Sequence, residues 1–153
     1  MATPSLCYIA RMRNLCVLLV LSALPLAAEK KVVTPPEFAG GTANFSPGIL
    51  VDGTLYVSGQ IGQDLKTKQV PADFESEVKT VLGNIGIVLK AAGMTYKDVV
   101  SVQVYLTDMD LFQRMNAVYI TFFPDPRPSR TTVGVTKLAA PTAHIEVTVT
   151  ARK

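Results

Sequence analysis

Along 54–61 (TLYVSGQI) apolar and polar positions alternate, with Leu55, Val57 and Ile61 on one face and Tyr56, Ser58 and Gln60 on the other. A period of two predicts a half-buried strand. Asp52-Gly53 just before it is a hairpin-turn pair, so 49–51 is expected to pair with this strand. From 73 to 92 the period lengthens. Phe74, Val78, Val81, Ile85, Val88 and Ala92 recur at steps of three and four, which predicts a helix with one apolar stripe. Gly93 is placed to close it in a left-handed cap. Gly83 and Gly86 inside it cost about 1 kcal/mol each against Ala, and close packing on a sheet would be a reason to keep them.

The alternation returns over 99–107, with Val100, Val102, Val104 and Leu106 expected inward. A second helix is predicted over 110–123 through Leu111, Met115, Val118, Tyr119 and Phe122, stopped by Pro124. Pro124, Pro126 and Pro128 make a stiff loop. Two closing strands are expected at 131–138 and 144–151, joined by a short turn at 139–142. The order ββαβαββ predicts an α+β layer pair, a mixed sheet with both helices on one face. The other face would carry Tyr56, Ser58, Gln60, Ser101, Gln103 and Tyr105, with Thr132, His144, Glu146 and Thr148. Too polar for a core and too aromatic for open water, such a face predicts a homo-oligomer with sites in its seams.

Ahead of this domain, Arg11 and Arg13 precede an apolar run from Leu15 to Leu26, and Ala27-Ala28 then meet Glu29-Lys30-Lys31. That reads as a secretory signal peptide over 1–28, too short in its apolar part to span a bilayer. Export to a periplasmic or extracellular space follows, without stable membrane insertion. A mitochondrial presequence fits less well because the run is unbroken rather than amphipathic. A start at Met12 would still leave a stretch of ordinary signal-peptide proportions over 12–28, whereas a misassigned start would leave a cytoplasmic location open. An extended lead-in over 29–48, marked by Thr34-Pro35-Pro36 and Gly40-Gly41, leads to one domain over 49–153.

Of 153 residues, 15 are basic and 12 acidic, but two of the basic ones lie in the leader, leaving 13 against 12. That balance argues against a nucleic-acid grip, which needs many phosphate-neutralising cations. Both cysteines, Cys7 and Cys16, also lie in the leader, so a processed chain has no disulfide or thiol nucleophile. His144 is the single histidine, so no His-rich metal site is expected. It is read as structural, and Ser58 then lacks a base for nucleophilic catalysis. Arg130 carries more information. It follows the Pro-rich loop and opens a strand, where backbone order can hold its guanidinium for bidentate capture of a carboxylate. With Thr132 and Arg130 on the uncovered face and Glu146 on the next antiparallel strand, two readings stand: a small-molecule anion site, or an ion pair in an oligomer seam.

The segments YVSGQIG (56–62), KAAGM (90–94), VYLTDMDLFQRMNAVYITFF (104–123) and PSRTTVGVTKLAAPTAHIEVTVTA (128–151) together resemble the RidA family (YjgF/UK114, reactive intermediate deaminase) over nearly all of 34–153. The resemblance implies a chorismate-mutase-like α+β fold, a homotrimer and sites in the clefts between subunits. It also implies hydrolysis of reactive 2-enamine or 2-imino acids to 2-keto acids and ammonia, with no metal or organic cofactor. On this resemblance Arg130 takes the arginine that binds the substrate carboxylate. Ser58, Gly59 and Asn116 line the pocket, and Glu146 takes the acid associated with the attacking water. Thr132 or Ser58 would help position that water. Phe45 stands where the imine-active branch has a tyrosine, and Thr132 where that branch often has a cysteine. The Pro-rich loop is also shorter than in the deaminase type. A non-catalytic binder of small carboxylates is therefore the second expectation, and an endoribonuclease the third.

Overall fold

The computed structural model describes residues 29–38 and 44–153. The expected leader over 1–28 and the Gly40-Gly41 pair lie outside the described residues. Six strands form one sheet: β1 (Lys31–Val33), β2 (Gly48–Val51), β3 (Thr54–Ile61), β4 (Val99–Leu106), β5 (Ser129–Gly134) and β6 (Ile145–Arg152). Their spatial order is β1-β2-β3-β6-β4-β5, and every neighbouring pair is antiparallel except β4–β5. Helices α1 (Phe74–Ala91) and α2 (Phe112–Tyr119) pack beside each other on one face. The α+β layer pair is therefore the observed fold, with one edge strand, β1, inside the lead-in.

Local sequence explains α1 well. Asp73 caps it, accepting hydrogen bonds from the Ser76 N–H at 2.8 Å and the Ser76 hydroxyl at 2.7 Å. At the other end Gly93 takes φ +71°, while Met94 N–H donates to the Leu89 carbonyl and Gly93 N–H to that of Lys90, a Schellman closure. Val78, Val81, Ile85 and Val88 are buried in one cluster with Leu55 and Val57 of β3 and Val147 and Val149 of β6. Each such side chain contributes about 1.5–3 kcal/mol relative to exposure. Neither glycine is held by the sheet as expected: at Gly86 a Cβ would overlap the Tyr96 hydroxyl, in the turn before β4, and at Gly83 it would meet nothing within 4 Å.

Three features depart from the expected pattern, and each moves candidate residues. First, a bulge between Val57 and Gln60 shifts β3 against β6. It turns Gln60 inward, 6 % exposed, and brings Ile61 opposite Glu146 on the other face. Second, an irregularity between Val99 and Ser101 buries Val99 and leaves Val100 49 % exposed. Third, β5 does not form a hairpin with β6. β4, α2 and β5 form a crossover unit, which returns the chain parallel to β4. So β4 lies between β5 and β6, and β5 ends at Gly134 rather than running on to 138. Helix α2 is also shorter than expected, preceded by a 3-10 turn over Met109–Leu111.

Candidate active site

The sheet splits the candidate residues into two groups. On the helix side, Arg130 pairs in register with Val102, and Thr132 with Val104. Those valines are buried under the helices, so Arg130 and Thr132 share their side rather than the uncovered face expected for them. The Arg130 guanidinium carbon lies 4.5 Å from the Tyr119 ring centroid and 5.6 Å from that of Phe112. Its Nη1 lies 3.9 Å from Met115 Sδ. Phe112, Met115, Asn116 and Tyr119 follow the spacing of one helix face, so Asn116 shares the side of α2 that meets Arg130. No carboxylate among the described residues is within ion-pair distance of Arg130. Two hydroxyls in this group, those of Tyr119 and Thr132, are buried without a hydrogen-bond partner. Burial pushes the Tyr119 phenol above its ordinary pKa, against the opposing pull of the Arg130 charge.

On the opposite face lie Ser58, Gly59 and Glu146. Glu146 alternates with Ile145 and Val147, both buried under the helices, so its carboxylate faces away from them. It sits against Gly59, where a Cβ would overlap Glu146 Oε1; only glycine fits there with this side-chain position. Ser58 donates its hydroxyl to the Ser46 carbonyl at 2.6 Å, and its N–H to that of Pro47. These two bonds tie the segment bearing Phe45 to β3. Ser58 thus acts first as an anchor, and its hydroxyl proton is already spent. Phe45 is 62 % exposed at a cleft of about 630 Å³ that Ser46, Gly59 and Ile61 also line, together with Phe38 and Lys68.

Arg130 and Glu146 are therefore not neighbours within one chain. They stand on opposite faces, with β4 between their strands. The expected closeness of the two rested on a β5–β6 hairpin that does not exist.

His144, placed with Glu146 by sequence spacing, instead meets Glu77, whose side chain is fully buried. The Nδ1 of His144 is 2.8 Å from Glu77 Oε2, and the His144 N–H donates to Oε1 at 2.7 Å. A buried Glu77 next to Val78 and Val81 broke the apolar stripe of α1, a signal the periodicity argument passed over. The aromatic platform under Arg130 was similarly legible only as helix stripe, through Tyr119. Among the described residues no group of three or more His, Cys, Asp or Glu side chains is arranged to hold a metal ion.

The two groups differ in chemistry: a guanidinium with no ion-pair partner among the described residues, and a carboxylate packed against Gly59, which itself lines the cleft. Comparison with known proteins places the chain among relatives by sequence and by fold. A family model described as Endoribonuclease L-PSP matches residues 38–153. A 2-iminobutanoate/2-iminopropanoate deaminase of Rattus norvegicus is 38% identical over 110 residues, covering 71% of this chain and 80% of the relative. A RutC family protein of Sulfurisphaera tokodaii is 42% identical over 110 residues, 71% of this chain and 87% of its own. Among solved structures, a protein of unknown function of the conserved Rid family from Yersinia pestis superposes with a TM-score of 0.77 at 30% identity. That match covers 82% of this chain and 100% of the other.

Proposed function

This chain belongs to the RidA (YjgF/UK114, endoribonuclease L-PSP) family, and from that premise we propose that it hydrolyses reactive 2-imino acids to 2-keto acids and ammonia. The observation that carries the reading is Arg130: a half-buried guanidinium packed against two aromatic rings of α2 with no carboxylate partner among the described residues. Its donors are left for an anion from outside, and the planar fork matches a carboxylate. Relatives named for 2-iminobutanoate and 2-iminopropanoate supply that carboxylate next to an electrophilic C2.

Arg130 binds the substrate carboxylate and turns C2 toward a water on Glu146. As the water oxygen bonds to C2, Glu146 accepts one of its protons. It returns that proton to the nitrogen, giving a carbinolamine. Glu146 then takes the hydroxyl proton and passes it to the amino nitrogen as the C=O bond forms and the C–N bond breaks, so ammonia leaves and the 2-keto acid remains. No metal or organic cofactor enters the scheme. Thr132 orders the arginine side of the pocket, while Gly59 keeps Glu146 at the cleft.

Because Arg130 and Glu146 face opposite sides of one sheet, one subunit's Arg130 must meet the Ser58, Gly59 and Glu146 of another. A homotrimer with three such seams fits this need and covers the face that leaves Tyr56 52 % and Val133 41 % exposed. Residues 1–28 serve as an export signal in this reading. N-terminal sequencing of the protein from its native cell tests that, since a chain starting at Met1 or Met12 would contradict it.

The test of the activity generates imine in situ with an amino-acid oxidase and traps what survives with semicarbazide. Wild type should speed imine loss, and Arg130→Ala should lower kcat/KM by roughly 10²–10⁴-fold, two charge-assisted hydrogen bonds' worth, with the trimer intact. Equal rates with and without protein across several amino acids would refute it. Phe45 favours a second reading, because its exposed ring puts no hydroxyl at the cleft: a trimer that binds small carboxylates without turnover. Calorimetry with 2-keto acids beside a null deaminase assay separates the two. The near-even charge lends no independent support to RNA cleavage, which predicts strongly salt-dependent RNA binding.

A further inference from the structure

The guanidinium of Arg130 is fixed without being neutralised, and the means of fixing it runs deep into the fold. The ring beneath it, Tyr119, is only 4 % exposed. Tyr119 stacks on Phe123 with centroids 4.4 Å apart and planes 29° from parallel. Phe123 is fully buried and meets Tyr96 edge-on at 5.5 Å and 87°. Tyr96 in turn donates its hydroxyl to the Leu82 carbonyl of α1 at 2.8 Å. A column of three aromatic rings thus connects the α1 backbone to the face of one arginine.

We propose that Tyr119 is a positioning residue for this site: its ring sets the plane of Arg130, so that the guanidinium is oriented before a carboxylate arrives. The inference rests on the reading of Arg130 given above. An arginine side chain loses about 2 kcal/mol of rotamer freedom when it is fixed. A salt bridge could fix it, but would occupy the N–H donors that the substrate needs. A ring face attracts the cation through its quadrupole and leaves those in-plane donors free. Phe112 at 5.6 Å adds a second ring contact, and Met115 fills the gap with a soft sulfur. The platform should therefore act on substrate capture more than on the chemical step.

The Tyr119 hydroxyl gives the inference a sharp control. It is buried and has no hydrogen-bond partner among the described residues. The ring, and not the hydroxyl, is then the working part. Tyr119→Phe should keep KM within about twofold and leave Tm unchanged or higher, because a buried hydroxyl without a partner is a cost. Tyr119→Leu removes the π face and should raise KM for 2-imino acids, and the Kd for 2-oxobutanoate by calorimetry, by about 10-fold. Its kcat should change less. Val88→Ala, on α1 in the core and outside the column, supplies a destabilised control that should lower Tm and leave KM alone. If Tyr119→Leu does not fold, Tyr119→Met keeps much of the volume without a ring and is scored in its place.

The inference is overturned if the ring-less variant keeps the wild-type KM and Kd, if Tyr119→Phe loses as much as the ring-less variant, or if Val88→Ala raises KM in proportion to its lost Tm. Arg130→Ala, run alongside, separates the two levels. Wild type indistinguishable from Arg130→Ala in turnover and in binding would bring down the reading of the site, and this inference with it. A clear loss in Arg130→Ala with no response to removal of the ring would bring down the inference alone.

Discussion

Replacing Glu77 by alanine should be among the most damaging single changes outside the site. Glu77 lies in the first turn of α1 with its side chain fully buried, and it ties the helix to the start of β6. Its Oε1 accepts from the N–H of His144 at 2.7 Å and from that of Ile145 at 3.3 Å, while Oε2 meets His144 Nδ1 at 2.8 Å. It has nowhere else to go, since Gly62 packs so closely that a Cβ there would overlap Glu77 Cγ. Alanine at 77 leaves two backbone donors without their acceptor and a void where the side chain was. Hydrogen bonds to a charged acceptor contribute about 1.5–3 kcal/mol, the longer of the two falling at the low end or below. The sum is about 4 kcal/mol, inside the range for breaking a buried polar pair and a large share of a typical domain's stability. Urea unfolding followed by circular dichroism should show that loss as a lower midpoint at unchanged slope, with Tm down roughly 10–20 °C. The ring of His144 is 53 % exposed, so His144→Ala, which keeps its backbone donor, should cost only about 1 kcal/mol or less. Glu77→Gln keeps one acceptor oxygen and should fall between. A His144→Ala loss equal to that of Glu77→Ala would refute the reasoning, because the side-chain pair and not the backbone donors would then carry the energy.

Gly59→Ala should leave Tm nearly unchanged but cut imine turnover by at least about tenfold, since the new methyl displaces the Glu146 carboxylate that a general base needs in place; wild-type turnover would show that Glu146 does not act there. Mixing unfolded Arg130→Ala and Glu146→Gln subunits and refolding them together should recover up to about a quarter of wild-type activity, because random assembly pairs one intact residue of each kind at that fraction of seams. No recovery from a well-formed mixed trimer would contradict shared sites. Arg114 donates twice to Glu75, both bonds at 2.6 Å, and this holds the Glu75 carboxyl down at about 2 from an ordinary value of 4.5. A folded pKa below the unfolded one gives stability that is present above pH 4.5 and lost as pH falls toward 2. The gap in urea midpoint between wild type and Arg114→Ala should therefore be constant above about pH 5 and shrink below it; a gap that persists undiminished at pH 2 would count against the pair.

What the chain's own order of residues could carry was local. The stripe of α1, written in spacings of three and four, and its closure at Gly93 both appear in the structure. The alternation of β3, β4 and β6 was likewise visible, as were Arg130 and Glu146 as candidate site residues. Faces were another matter. One extra residue at the Val57–Gln60 bulge exchanges Gln60 and Ile61 between core and surface, and period-two reasoning has no means of placing such a slip. The α2 crossover sets β5 beside β4 rather than β6, and so puts Arg130 and Glu146 on opposite sides of one sheet. Pairing between strands distant in sequence depends on how the hydrophobic faces close over one another, not on any neighbour in the chain. The same closure turned Tyr119 from one apolar position on a helix into the floor beneath an arginine, and buried Glu77 where two backbone donors of β6's entry needed an acceptor.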